Sequence, residues 1–365
     1  TQGVSSAASD VYKRQAVDGS EVVSIPVGAD FLARFGNPYA VSHRADLHAA
    51  LHAAAQAHPL VRIHVGTRIA SIGRIEGMAE VHTASGQRFT GAALVGCDGV
   101  KSVVRDRLVG DAPRVSGHVV YRAEIPAAEM PKDLQWNAPV VWAGPNCHPV
   151  HYPLRGGEQY NLVVTFHSRE PEQWGATDGT KEEVMSYFGG IDARPHRLLD
   201  LPRSWRRWST ADRDPVPRWS EGHATLLGDA AHPMMQYLAQ GACMALEDAV
   251  TLGAAVRAAR TAQGTVDWPA VVGRYESARV VLSVREFGRL CHATGVERLV
   301  RPGVRQSAST TRSNGSTPGR QRTAYANRQR PLSRPSRPPR QPRSPEVPSP
   351  TFLERDEQNL SLIHI

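Results

Sequence analysis

Nothing in the 365 residues has the spacing G-x-G-x-x-G, the glycine pattern of a dinucleotide phosphate loop. Cysteine is scarce as well: Cys97, Cys147, Cys243 and Cys291 lie far apart, with no C-x-x-C among them. That leaves a zinc framework and a disulfide scaffold without support. Cys147 beside His148 and His151 is the one suggestive cluster, and its spacing fits no common metal site. There is no long apolar run and no secretory signal, so a soluble, cytoplasmic chain without a membrane span is expected.

Positive charge is present but badly distributed. The formal net charge is +8. Residues Gly303–Pro350 hold ten Arg, no Lys and one acid, Glu346, while the remainder carries 33 bases against 34 acids. A basic groove for nucleic acid could therefore only be the tail, and no specific nucleic-acid partner is expected. The same stretch has nine Pro and eight Ser and shows no periodicity. It should not build a core, which fits either a disordered tail or an out-of-frame translation. Ser6–Gln15 and the last six residues, LSLIHI, resemble translated sequencing-adapter sequence and continue no neighbouring pattern.

The informative stretch is Ala224–Asp248, ATLLGDAAHPMMQYLAQGACMALED. An apolar run, Ala224–Leu227, is short enough for a buried strand and ends in Gly228-Asp229. A loop follows Pro233, and Gln240-Gly241-Ala242 opens a helical run. A carboxylate at a strand tip facing the free N–H groups of a helix start can cradle a polyhydroxyl or anionic cofactor. A second unit of the same kind is Ala92–Leu108, AALVGCDGVKSVVRDRL, where the strand ends in Asp98-Gly99. A third segment, His43-Arg44-Ala45-Asp46-Leu47, opens a helix reaching Ala57, with Leu47 and Leu51 on one face.

These motifs, in this order, resemble those of the FAD-dependent aromatic hydroxylases. The segments GHVVYRA (Gly117–Ala123), WAGPNCHPVHYPLRGG (Trp142–Gly157), NLVVTFHSRE (Asn161–Glu170), SWRRWSTADRDPV (Ser204–Val216) and HPMMQY (His232–Tyr237) narrow the likeness. They resemble the branch that converts 3-hydroxybenzoate to 2,5-dihydroxybenzoate (gentisate), over about Val22 to Arg301. The resemblance implies an α/β flavin-hydroxylase fold: a Rossmann-like FAD domain lacking its first βαβ unit, plus a β-sheet substrate domain and a disordered C-terminal tail. In domain terms, 1–15 is read as an artefact-like leader, 16–114 as a partial FAD domain and 115–218 as the substrate sheet. The FAD domain returns in 219–302, and 303–365 is the tail. Because the phosphate loop is missing, the chain is expected to be a fragment that binds FAD poorly and is inactive as it stands.

Within that family the resemblance implies FAD as cofactor, NADH as electron donor, and O₂ and a phenolic carboxylate as substrates. Reduced flavin would form a C4a-hydroperoxide that passes an electrophilic OH to the ring. Cofactor contacts fall to Arg44, Asp98, Gly99, Asp229, Pro233, Gln240, Gly241 and Ala242. His148 and Gln236, with Tyr152, are the candidates for handling the phenolic proton; a histidine titrates near working pH, and an amide can donate and accept at once. These three and Tyr39 would also bind the substrate. Read from spacing alone, each has a plainer alternative: a loop histidine, a helix-cap glutamine, a core tyrosine. No residue is identified for the substrate carboxylate. A salicylate or hydroxynicotinate monooxygenase is the sister alternative. A non-enzymatic remnant with a basic, nucleic-acid-binding tail is the alternative of another class. The family commonly forms dimers.

Strand-like runs are expected at Val61–Val65, Ile69–Ile75, Val119–Ala123, Val140–Trp142, Val150–Tyr152 and Leu162–Phe166. Turns are expected at Glu76-Gly77 and Ser85-Gly86. Helices are expected at Lys181–Phe188, Met244–Ala259 and Val271–Leu290, and the aromatics, Trp205 and Trp208 included, are read as core.

Overall fold

Alternating apolar and polar residues dominate the middle of the chain, and there the fold is a broad sheet. A computed structural model describes residues 6–8, 11–16, 18–73, 77–294 and 362–364. Thr1–Leu290 with Asn359–Ile365 forms one compact unit; of the second, Cys291–Gln358, only the end of the last helix is described. The tail Gly303–Pro350 lies outside the described residues.

The chain opens with β1 (Ser6–Ala8), β2 (Val11–Ala16), β3 (Glu21–Pro26), α1 (Ala29–Phe35), β4 (Ala40–Ser42) and α2 (Arg44–Ala57). Next come β5 (Ile69–Ile72), β6 (Ala79–Thr83), β7 (Arg88–Gly91), β8 (Ala93–Gly96) and α3 (Val103–Leu108). The central region is β9 (Arg114–Pro126), β10 (Val140–Ala143), β11 (Cys147–Leu154), β12 (Gln159–His167) and β13 (Gly175–Gly179). It closes with α4 (Lys181–Tyr187), α5 (Ala193–Asp200) and β14 (Trp205–Asp212). The last elements are β15 (Ser220–Glu221), β16 (Ala224–Leu226), α6 (Gly241–Ala258), α7 (Trp268–Thr294) and β17 (Leu362–His364).

Eight strands form the main sheet in the order β13-β14-β9-β12-β11-β10-β2-β3, antiparallel except where β10 meets β2. Residues on one face, among them Val119, Tyr121, Trp142, Leu162, Val164, Phe166 and Trp205, pack under α4 and α5 into one core. A second core surrounds β8 and β16, which run parallel, and takes in Val81, Leu94, Val104, Leu226, Leu252, Trp268 and Tyr275. Its helix–strand contact is tight: a Cβ added to Gly96 would come within 2.7 Å of Val104 Cβ. β17 lies parallel to the other edge of β8. A three-stranded meander, β5-β6-β7, completes this side.

Several expectations change. Val61–Val65 forms no strand and Val65 is 82% exposed, since no strand lies beside it to pair with among the described residues. Helix α2 has the expected bounds but buries no residue, and Leu51 is exposed, so its apolar stripe has no cover. Trp205 belongs to the core, whereas Trp208 points to the opposite, open face of the sheet, beneath the Arg122 guanidinium. Strand β2, Val11–Ala16, takes in the last five residues of the adapter-like segment Ser6–Gln15 and belongs to the main sheet. Among the described residues no helix is long and apolar enough to cross a membrane.

Candidate active site

The Gly228-Asp229 turn is held from two sides. Gly228 takes φ +62°, a conformation that favours glycine, and its N–H donates to Asp248 Oδ2 at 2.9 Å. The Asp248 carboxylate is wholly buried on α6 and also meets His232 Nε2 at 2.6 Å and Arg279 Nε at 2.5 Å. Burial works against its charge, but His232, the Gly228 N–H and Arg279 outweigh it and hold the carboxyl below its ordinary range. From the other side comes Arg105, fully buried on α3. It donates to the carbonyls of Ala230 (3.0 Å) and Ala231 (2.5 Å) while gripping Asp111 with two 2.8 Å bonds. The two sequence motifs are thus bolted together by a residue that neither strand pattern singled out.

This support leaves Asp229 itself exposed at the turn. Gly241 begins α6 beside it: an added Cβ would sit 3.8 Å from Asp229 Oδ1 and 4.0 Å from Met234 Cγ. No side chain caps the helix start at Gln240, and Ala242 is exposed. A strand-tip carboxylate, an uncapped 18-residue helix and a glycine keeping the space between them open make a fitting cradle for FAD hydroxyls and negative charge. Pro233 is buried in the intervening loop.

Asp98 is placed differently from Asp229. Its Oδ1 accepts from Ser102 Oγ at 2.5 Å, and its Oδ2 accepts from the N–H groups of Val103 (2.7 Å) and Val104 (3.3 Å). The carboxylate is therefore committed to capping α3, and Gly99, at φ +74° with nothing within 4 Å of an added Cβ, is the open part of the pair. Arg44 is the first residue of α2, exposed, with no ion pair among the described residues.

The proton-handling candidates gather over the open face of the main sheet. His148 on β11 lies directly opposite Thr165 on β12, and Gln236 Nε2 approaches Thr165 Oγ1 at 3.5 Å. The Tyr237 ring lies against His148, centroids 5.6 Å apart. Burial, helped by the Arg14 charge, pushes the His148 imidazole down to about 4, so it is neutral and able to accept a proton at pH 7. Four residues along the same face is Tyr152, opposite Asn161. Tyr39 comes from before β4; burial raises its phenol, and Tyr12, Tyr152 and Cys243 beside it add to the rise. Cys243 is in the first turn of α6, so the open face, Tyr39 and the FAD cradle adjoin.

Sequence reasoning missed the neighbours that build this face. Tyr237 Oη shares a hydrogen bond with His118 Nδ1, whose ring meets His167 edge-on. His118 too is pushed down to about 4, by burial with His167 and His148 adding to it. Only the strand register could have paired Thr165 with His148. His151 faces the opposite side from His148: it is buried and accepts from Trp142 Nε1 at 3.3 Å. Among the described residues no group of His, Cys, Asp or Glu is arranged to hold a metal.

An α/β core with a strand-tip carboxylate facing an uncapped helix, beside a separate sheet carrying a His/Gln pair, is the architecture of a flavoprotein hydroxylase. The family model described as "FAD binding domain" matches residues 22–279. The chain is 56% identical over 298 residues to 3-hydroxybenzoate 6-hydroxylase of Polaromonas naphthalenivorans (strain CJ2), covering 80% of this chain and 73% of that one. It is 58% identical over 292 residues to 3-hydroxybenzoate 6-hydroxylase of Klebsiella oxytoca, covering 78% and 72%. A salicylate hydroxylase substrate complex shares the fold, with TM-score 0.68, 22% identity, and 82% and 77% of the two chains covered. The chain belongs to the FAD-dependent aromatic hydroxylases, a family of flavin monooxygenases.

Proposed function

We propose that the protein hydroxylates 3-hydroxybenzoate at the carbon para to the phenol, giving 2,5-dihydroxybenzoate, with NADH as electron donor and O₂ as oxidant. One oxygen atom enters the ring, the other leaves as water, and NADH supplies the two electrons. Bound FAD would carry those electrons and activate the oxygen. Asp229, Gln240, Gly241 and Ala242 would hold it, with Pro233 shaping the loop, Arg44 and Gly99 at its margins, and Asp98 acting by fixing the turn before α3. The core around β8 and β16 is the flavin side, and the eight-stranded sheet is the substrate side.

The observation that carries the reading is the meeting of His148 and Gln236 at Thr165. A neutral imidazole accepts the phenolic proton there, the amide orients the phenol oxygen, and the electron density released reaches the para carbon. Tyr152 and Tyr39 enclose the rest of the ring. The test is product analysis with FAD, NADH and 3-hydroxybenzoate on the chain joined to a family phosphate-loop βαβ unit: 2,5-dihydroxybenzoate without CO₂ is expected. Catechol with CO₂ from salicylate, and nothing from 3-hydroxybenzoate, would overturn it.

A further inference from the structure

We propose that Arg122 and Asn161 seat the substrate carboxylate, forming with Tyr152 the end of the pocket opposite His148 and Gln236. This inference deepens the reading of the substrate as a phenolic carboxylate and rests on it. Three cross-strand rows make up the relevant face. His148 and Thr165 form the first, Val150 and Val163 the second, and Tyr152 and Asn161 the third. The middle row is apolar and suits the floor under a ring; the outer rows are polar. One strand further, β9 extends the three rows with Val120, Arg122 and Glu124, so Arg122 ends the valine row beside Val163 and Glu124 ends the third row beside Asn161. A ring lying on the two valines with its hydroxyl at the first row presents a meta substituent toward the third.

Two features at the border of the middle and third rows call for an anion. Asn161 is 8% exposed, and its Nδ2 forms no well-aligned hydrogen bond, acting only on the Tyr152 phenol beside it, so a stronger acceptor would be favoured there. Arg122 is exposed on this face and has no carboxylate partner among the described residues; its guanidinium lies over Trp208, 5.8 Å from the ring centroid. The acid two residues on, Glu124, is engaged by His43 Nε2 at 3.0 Å. Burial raises the Tyr152 phenol, while the Arg122 charge and the Asn161 amide oppose that rise, so both act on the same spot. Arg206, directly opposite Arg122 on β14, is paired with Asp178 at 2.9 Å, and Arg14, on the far side of β11, acts on His148 and thus stands at the phenol end. A carboxylate between Arg122, Asn161 and Tyr152 would receive a charge-assisted bond and satisfy the Asn161 donor.

Calorimetric binding of 3-hydroxybenzoate and of uncharged 3-hydroxybenzamide to the full chain separates charge recognition from shape. Arg122→Gln is expected to weaken the acid by about 20-fold or more and leave the amide within about threefold, with Arg122→Lys recovering part of the loss. Asn161→Asp, which sets a like charge against the ligand, should also weaken the acid selectively. Unchanged acid affinity in Arg122→Gln overturns the seat, as does equal loss for acid and amide, or a selective loss in Arg14→Gln instead. If salicylate binds with this Arg122 dependence and 3-hydroxybenzoate does not bind, the seat stands and the substrate reading falls. If 2,5-dihydroxybenzoate forms while Arg122→Gln binds normally, the reverse holds. Failure to bind any aromatic acid overturns both.

Discussion

At the scale of single residues, function turns on which groups touch the phenol and which merely hold others in place. His148 and Gln236 share Thr165 as neighbour, so each is within reach of one small atom placed above it. Removing the phenolic proton serves ring hydroxylation and does nothing for flavin reduction by the nicotinamide. In the chain joined to a family phosphate-loop unit, His148→Ala and Gln236→Ala should therefore still oxidise NADH in the presence of the aromatic acid but form product about 10²–10⁴-fold more slowly. The oxygen would leave as hydrogen peroxide. Product formed per NADH consumed, with peroxide measured alongside, reads this directly; full coupling in either variant would make that residue a bystander. The residue types in HPVHY and HPMMQY were legible as candidates. Their neighbours Thr165, Asn161 and Arg122 were not, because a strand pattern gives the face of a side chain but not the register that pairs it across strands.

At the scale of elements, the outcome depended on whether a segment's partners were also local. Strands β9, β11 and β12 stood out because their alternation is long and both neighbours are present. The Val61–Val65 run alternates just as well and forms no strand, since pairing needs a neighbour that alternation alone does not supply. Helix α6 begins at Gly241, within the Gln240-Gly241-Ala242 opening, three residues ahead of the strongly helical run from Met244, although an uncapped glycine start carries no Ser, Thr or Asp signal. The element-level device most exposed to test is the Asp248 clasp joining α6, α7 and the Gly228 turn. Replacing Asp248 by Ala leaves Arg279 without its wholly buried partner and frees both His232 and the Gly228 N–H. A destabilisation of about 3–5 kcal/mol is expected in urea unfolding, as for one partner removed from a buried ion pair. Asp248→Asn, which keeps the Gly228 bond, should lose less. Equal loss in the two variants would show that the Gly228 bond adds nothing to the clasp, and full stability in Asp248→Asn would show that the carboxylate charge is irrelevant to it.

At the scale of the whole molecule, the clearest prediction comes from three histidines on the main sheet, His151 buried and His118 and His148 half-buried. His118, His148 and His151 are each pushed down to about 4, in every case chiefly by burial. In the unfolded chain each returns to about 6.5, so between those limits the unfolded state binds more protons. Their folded pKa values are depressed, so stability is complete above about pH 7 and falls as pH drops through 6.5 toward 4, each histidine steepening the loss by up to about 1.4 kcal/mol per pH unit. Carboxylates held low by their partners, Asp111 by Arg105 and Arg213 and Asp248 chiefly by His232, act in a different window. Their contribution is present above their unfolded pKa and is lost only as pH falls below about 4. Melting curves at pH 7.5, 6.0 and 5.0 should thus show a steady drop that owes little to the acids. His148→Asn removes one titrating group from a position outside the main core and should make that drop shallower by about a third. A melting temperature that is level from pH 7.5 to 5.0, or a slope unaltered in His148→Asn, would mean that the sheet's open face takes up protons freely when folded.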